Sequence, residues 1–154
     1  SGCNPVTINF RNLSTGGESY LWDFGDKTYS MEKNPTHTYY VPGNYIVILT
    51  VTNIMGTATH KGIISVYQKP TAIFDVYPKN IINNQQIIVF SNYSSYASTY
   101  LWDFGDSTSS TEQTPWHKYE HPGSYDITLW VTSADGCVDS SQIGRAHVLN
   151  SSHT

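Results

Sequence analysis

The residues best placed to do chemistry are four aspartates carried by a repeated heptapeptide. Tyr20–Asp26 reads YLWDFGD, and Tyr100–Asp106 repeats it letter for letter. Asp23 and Asp26, like Asp103 and Asp106, set two carboxylates close together where an apolar run gives way to glycine. Clustered hard oxygens suit calcium, which takes ~6–8 oxygen ligands, so loop carbonyls and water would have to complete the set. Lys27, next to Asp26, weighs against a calcium site in the first copy. The competing reading is turn construction, with Asp23 on a solvated strand face and Asp26 accepting backbone N–H groups. Calcium apart, the residues point to no cofactor.

Histidines 37 and 117 suggest metal or acid–base work, but neither has a cysteine or a second histidine at ligand spacing within its repeat. His121 lies near His117, yet its counterpart is Val41, so the repeat does not require it. The expectation is a histidine packed beside tyrosine and hydrogen-bonded to backbone. Asp-Phe-Gly also stands in the magnesium-holding motif of protein kinases. Here no Gly-rich loop with its lysine and no catalytic-loop motif accompany it. No spacing favours a Ser/His/Asp arrangement, so catalysis is not expected.

Two tryptophans are candidates for binding. Trp130 falls between Leu129 and Val131, both expected in the core, so strand alternation turns it outward where the first copy has Thr50. Ile46 and Ile48 are expected outward in the first copy. Such residues form a partner or sugar-stacking surface, or lie under a neighbouring strand or loop. Trp116, beside His117, carries the same alternatives.

The elements that position these side chains follow from the repeat. Shifted by 80, the chain aligns on itself without a gap from Phe10–Gly56 to Phe90–Gly136, with 23 of 47 positions identical. That is duplication. In the first copy Val6, Ile8 and Phe10 alternate with polar residues, as a half-buried strand does. Tyr20, Trp22 and Phe24 share one strand face, and Thr36–Tyr39 reads as a short strand. Pro42-Gly43 marks a turn, since Pro presets φ and Gly accepts positive φ. Tyr45, Val47, Leu49 and Val51 form the clearest strand, and a turn at Met55-Gly56 leads to a last strand ending in Ile63–Tyr67. The second copy adds a strand at Ala72–Tyr77. Gln68-Lys69-Pro70 is too short for a floppy tether.

Composition bounds the function. The chain has 154 residues, a net charge of −4 and no basic stripe, which excludes a footprint for nucleic-acid phosphates. No apolar run approaches the ~18 residues of a membrane span. Charged residues make up 13% and aromatics 14%, within an abundance of Tyr, Thr, Ser and Asn, the make-up of all-β domains.

Seven or so short strands per copy, one Trp on the third and a Tyr opening the penultimate strand resemble two tandem immunoglobulin-like β-sandwiches. In that likeness Trp22 and Trp102 are the central core aromatics, and Tyr45 and Tyr125 take a tyrosine-corner role. WDFGD followed by NPTHTY and PGNYIVILTVTN is similar to the PKD (polycystic kidney disease) domain family, and the second copy carries WDFGD, TPWHKY and PGSYDITLWVTS in the same order. The resemblance covers roughly Ser1 to Gln142. It implies non-catalytic modules of secreted or cell-surface proteins, notably in Bacteroidetes-like bacteria, which bind proteins or carbohydrates, space other domains or resist force. Some related domains bind calcium, and Asp23, Asp26, Asp103 and Asp106 are the clustered hard oxygens this chain offers. The family usually has Gly after the motif's last Asp, where this chain has Lys27 and Ser107, so that turn need not have the common geometry.

The domains expected are residues 1–68, lacking a first strand, and 69–142, with its last strand missing or replaced. Residues 143–154 read as translated sequencing adapter, a non-native tail. Cys3 and Cys137 are not equivalent under the repeat, and in an immunoglobulin-like topology each falls at the junction end of its domain. An inter-domain disulfide is one arrangement, which an extracytoplasmic habitat would permit; two reduced thiols, or partners on neighbouring repeats, are the others. The expected function is adhesion or protein/carbohydrate interaction combined with spacing. The alternatives are an accessory region of a secreted protease or chitinase, and a stalk without a ligand.

Overall fold

The computed structural model describes residues 1–79, 81 and 86–149, with backbone alone at 144 and 145. Its described residues form strands, turns and bends without a helix, and they divide into two units, Ser1–Gln68 and Lys69–Thr154. Among the described residues no helix is long and apolar enough to cross a membrane.

Unit 1 contains β1 (Gly2–Cys3), β2 (Val6–Asn9), β3 (Ser19–Asp23), β4 (Tyr29–Ser30), β5 (Thr36–Tyr39), β6 (Gly43–Asn53) and β7 (Gly56–Tyr67). A five-stranded sheet, ordered β1-β7-β6-β3-β4, faces a pair formed by β2 and β5. Alternation decides which side chains enter the core. Trp22 and Phe24 from the repeated heptapeptide meet Val47 and Leu49 of β6, Tyr39 of β5 and Val66 of β7. Leu21, one residue out of phase with Trp22, is exposed. Gly43 opens β6 and uses no positive φ; the residues that do are found elsewhere. Burial of so many aromatics is the main favourable term in folding such a small unit.

Unit 2 contains β8 (Phe74–Tyr77), β9 (Ile88–Asn92), β10 (Thr99–Asp103), β11 (Ser109–Ser110), β12 (Trp116–His117), β13 (Gly123–Thr132) and β14 (Val138–Val148). Its sheets are ordered β11-β10-β13-β14 and β12-β9-β8. Trp102, Phe104, Ile127, Leu129 and Val131 repeat the core of unit 1, and Ala72 and Phe74 add to it. The place of a last strand is held by β14, which pairs with β13 from Thr132↔Val138 to Gly123↔Val148 across a register shift between Tyr125 and Ile127. Ala146 and Val148, from the stretch read as a non-native tail, are buried in this core. The rest of that stretch, 150–154, lies outside the described residues.

The tyrosine corners are present in both units. Tyr45 donates its hydroxyl to the Val41 carbonyl at 2.7 Å, and Tyr125 donates to that of His121 at 2.8 Å. Each central indole also has a partner, Trp22 Nε1 donating to Glu32 O at 3.1 Å and Trp102 Nε1 to Glu112 O at 2.9 Å.

Candidate functional site

The duplicated acidic turn is built alike in both units. After β3 the chain reverses through Gly25, whose φ of +79° lies in the left-handed region that favours glycine. A Cβ there would stand 2.6 Å from the Ile46 carbonyl oxygen; the matching distance at Gly105 is 2.5 Å, to Asp126. Asp23 Oδ1 accepts the Gly25 N–H at 2.9 Å and so holds the turn. Asp26 accepts the backbone N–H of Thr28 at 3.1 Å and the Thr28 hydroxyl on Oδ1, while its Oδ2 meets His37 Nε2 at 2.7 Å. Asp103, Asp106, Thr108 and His117 repeat these contacts.

The turn keeps a left-handed residue without glycine at that position. Lys27 and Ser107 stand where glycine would be easiest, yet they adopt the left-handed conformation with φ of 72° and 70°. The Asp-centred hydrogen bonds on either side hold that geometry against the Cβ repulsion, which costs roughly 1–2 kcal/mol.

The histidine is packed rather than presented. His37 stacks on Phe24 at 4.2 Å and meets the edge of Tyr39 at 4.7 Å; His117 does the same between Phe104 and Tyr119. A Ser/His/Asp relay uses one imidazole nitrogen for the carboxylate and the other for the nucleophile. Here the hydroxyl of Thr28 approaches the same Nε2 that Asp26 already occupies, at 3.4 Å. The Thr hydroxyl is itself committed to Asp26, so the group fixes a turn and activates no nucleophile.

Electrostatics agree with that role. Burial works to raise the Asp26 carboxyl. The Thr28 hydroxyl, His37, the Thr28 N–H and the charge of His37 outweigh it and hold the group below the usual carboxylate range. Asp106 is lowered in the same way, against its burial, by Thr108 and His117. Burial, with the charge of Asp26 nearby, pushes the Tyr39 hydroxyl up to about 12, which keeps it a neutral donor to the Phe24 carbonyl at 2.9 Å. As for calcium, Asp23 and Asp26 come together in one turn with their oxygens aimed at protein donors. Among the described residues no three His, Cys, Asp or Glu side chains gather as metal ligands would.

The binding candidates sit on unit 2, on two different sheets. Trp130 is 36% exposed and lies on the outer face of its sheet, directly across from Leu101 on β10 and Ser140 on β14. The rows on either side are Asp103, Thr128 and Gln142, and Thr99, Thr132 and Val138. An indole therefore lies among hydroxyl, amide and carboxylate groups. In unit 1 the same row is Leu21, Thr50 and Thr59.

Trp116 belongs to a longer apolar row that the sequence reading missed. It pairs with Val89, which pairs in turn with Tyr77, so the three side chains cross the whole sheet β12-β9-β8 on one face. Trp116 is 63% and Tyr77 75% exposed. Strands stand ~4.8 Å apart, placing the two aromatic residues roughly 10 Å from each other. Asp75 and Ser91 form the polar row beside it, and Lys79 pairs with Asp75 at 3.2 Å. The corresponding row of unit 1 has Thr36 bonded to Asn9 at 2.8 Å, with no aromatic. Strand alternation could have revealed Tyr77 as outward, but its alignment with Trp116 depends on the pairing register.

Two duplicated β-sandwiches, each with its acidic turn locked into the scaffold and with aromatic residues exposed on the second, define a tandem immunoglobulin-like module. The PKD domain family model matches residues 3–66 and again 68–148, and the chain belongs to that family. Among curated proteins it is similar to collagenase ColA of Bacillus cereus, 47% identical over 61 residues that make up 36% of this chain and 6% of the collagenase. It is also similar to a microbial collagenase of Vibrio alginolyticus, 50% identical over 50 residues covering 30% of this chain and 6% of that protein. The pre-pro-metalloprotease PrtV of Vibrio cholerae is 48% identical over 44 residues, 29% of this chain and 5% of the protease. The chain thus spans a small fraction of these relatives' length.

Among solved structures, one of carbohydrate-binding modules from the β-sandwich superfamily is 31% identical, with a TM-score of 0.50, covering 55% of this chain and 36% of that one. The PKD1 domain of Vibrio cholerae PrtV is 33% identical with a TM-score of 0.45, covering 52% of this chain and 96% of that one. PKD domains are non-catalytic accessory modules, and those matched here belong to proteases and collagenases.

Proposed function

We propose that this chain is an extracellular accessory module that holds a larger protein against a polymeric ligand, carbohydrate first, through the aromatic rows of unit 2. The observation that carries this reading is the row Trp116–Val89–Tyr77, an exposed apolar strip with a polar row alongside. Aromatic faces of this kind stack on the apolar faces of sugar rings, and hydroxyl and carboxylate neighbours then hydrogen-bond to sugar hydroxyls. Trp130 is a second, smaller contact on the opposite sheet. The likeness to carbohydrate-binding modules supports the carbohydrate reading. The likeness to collagenases and a metalloprotease supports a place beside a secreted hydrolase, with adhesion at a cell surface as the other setting.

The test is retention on insoluble polysaccharides and on fibrous protein, comparing the native chain with Trp116→Ala, Tyr77→Ala and Trp130→Ala. Loss of one stacking face costs roughly 1–2 kcal/mol, hence a drop in affinity of about 5- to 30-fold. Retention on polysaccharide that survives both Trp116→Ala and Tyr77→Ala sinks the row as the contact. Retention on fibrous protein alone sinks the carbohydrate reading.

A further inference from the structure

The outer face of the large sheet in unit 1 carries side chains that the fold does not require. On β6 the inward residues Val47 and Leu49 are buried, so Ile46, Ile48 and Thr50 point outward. Strand pairing arranges that face in rows. Ile46 stands beside Ile63 of β7; Tyr29, Asp23, Ile48 and Lys61 cross β4-β3-β6-β7; Leu21, Thr50 and Thr59 follow. Ile63 is 70%, Tyr29 62% and Ile46 57% exposed, so the patch is open to solvent.

The second unit is an internal control. In its corresponding sheet the matching row reads Ser109, Asp103, Thr128 and Gln142, and Asp126 takes the place of Ile46. The same strands therefore form, over a core of the same kind, with polar residues at these places. Strand propensity favours isoleucine, but a solvated strand is served as well by threonine, as Thr50, Thr52, Thr57 and Thr59 on the same face show. A contiguous apolar patch on such a face marks an interaction surface.

We propose that this face is a self-association surface and that its partner is a second copy of this chain. The charge pattern carries the choice. In the row Asp23–Ile48–Lys61 the isoleucine is central, with an anion on one side and a cation on the other. A two-fold axis along β6, midway between two facing copies, returns β6 onto β6 and exchanges β3 with β7. Asp23 of each copy then stands over Lys61 of the other, giving two opposite-charge pairs around an isoleucine contact. Asp23 keeps its bond to the Gly25 N–H through Oδ1 and meets the lysine with its other oxygen. Ile63 falls over Gly25, which has no side chain and lies against the Ile46 backbone. Sheets pack face to face ~10 Å apart with strands within about 30° of each other, which this axis allows. The four strands and their rows span roughly 20 Å each way. Two faces then bury on the order of 1,000 Å², the low end of specific interfaces, so the dimer is weak. It also carries the aromatic rows of unit 2 twice, which strengthens retention on a polymer that both copies reach.

Sedimentation of the full chain from micromolar to millimolar concentration is expected to show a reversible monomer–dimer equilibrium. Ile46→Asp installs the residue that unit 2 already carries, and it enters the interface twice. It is expected to weaken association at least about tenfold while the thermal transition of unit 1 is retained. Asp23→Asn, which keeps an oxygen for the Gly25 N–H, and Lys61→Gln are each expected to weaken it roughly three- to tenfold. The double variant is expected to weaken it no more than either single, because all three lack the same ion pair. A chain that stays monomeric at millimolar concentration overturns the proposal. So does a dimer that survives Ile46→Asp, or one that Trp116→Ala or Trp130→Ala dissolves, since either assigns the contact to another face. Effects of Asp23→Asn and Lys61→Gln that simply add overturn the two-fold arrangement. Retention of a monomeric chain on polysaccharide or fibrous protein that Ile46→Asp abolishes also overturns the proposal, by giving the face to that ligand.

Discussion

Replacing Asp106 with Asn tests whether the acidic half of the heptapeptide is scaffold. The carboxylate accepts the Thr108 N–H at 3.1 Å, the Thr108 hydroxyl, and a contact from His117 Nε2 at 2.7 Å. Asn keeps one oxygen for Thr108 but turns a charge-assisted pair with His117 into a neutral one. Hydrogen bonds to charged groups contribute ~1.5–3 kcal/mol against ~0.5–1.5 for neutral ones, so the expected loss is about 1–2 kcal/mol. The side chains of His117 and Asp106 are only 14% and 17% exposed, so solvent screens the pair little. For a unit of this size that loss lowers Tm by roughly 5–15 °C.

The pH dependence separates this mechanism from a packing defect. The Asp106 carboxyl is held below its unfolded value, near ~3.9, so its stabilisation is fully present above that pH and is lost as pH falls through the lowered folded value. Calorimetry of Asp106→Asn and native protein is expected to show the full difference at neutral pH and a smaller one at acid pH, shrinking as pH falls through the lowered folded value. A deficit of equal size at both pH values, or no deficit at neutral pH, refutes the reasoning.

Two further outcomes follow from the same turn. Gly105→Ala is expected to cost about 3 kcal/mol or more, because the added Cβ meets the Asp126 carbonyl oxygen at 2.5 Å on a backbone with φ of +80°; urea denaturation reads it directly. Lys27→Gly and Ser107→Gly are each expected to raise stability by about 0.5–1 kcal/mol, since relief of left-handed strain exceeds the added entropy of the unfolded chain. A loss of stability in both variants would show that those side chains contribute more than their backbone strain costs.

The fold was legible because its signals are local. Alternation at Tyr20, Trp22 and Phe24, turn residues at fixed offsets, and a gapless duplication specify strands, faces and order without reference to distant contacts. The tyrosine corners at Tyr45 and Tyr125 could likewise be named from their place after Pro-Gly. The site was less legible. Asp26 and Asp106 look like ligands in a string of letters, and the packing of His37 and His117 onto their oxygens is what commits them to a turn. Lys27 and Ser107 look like departures from a glycine turn, and the surrounding hydrogen bonds hold them in it.

What the sequence by itself determined is therefore the module: two β-sandwiches, their core aromatics and their outward tryptophans taken one at a time. What only the tertiary structure decided is which residues become neighbours. Trp116, Val89 and Tyr77 lie on three separate strands and become one row through register. Register and sheet edges are set by long-range pairing across the fold, and no local pattern of residue types carries them.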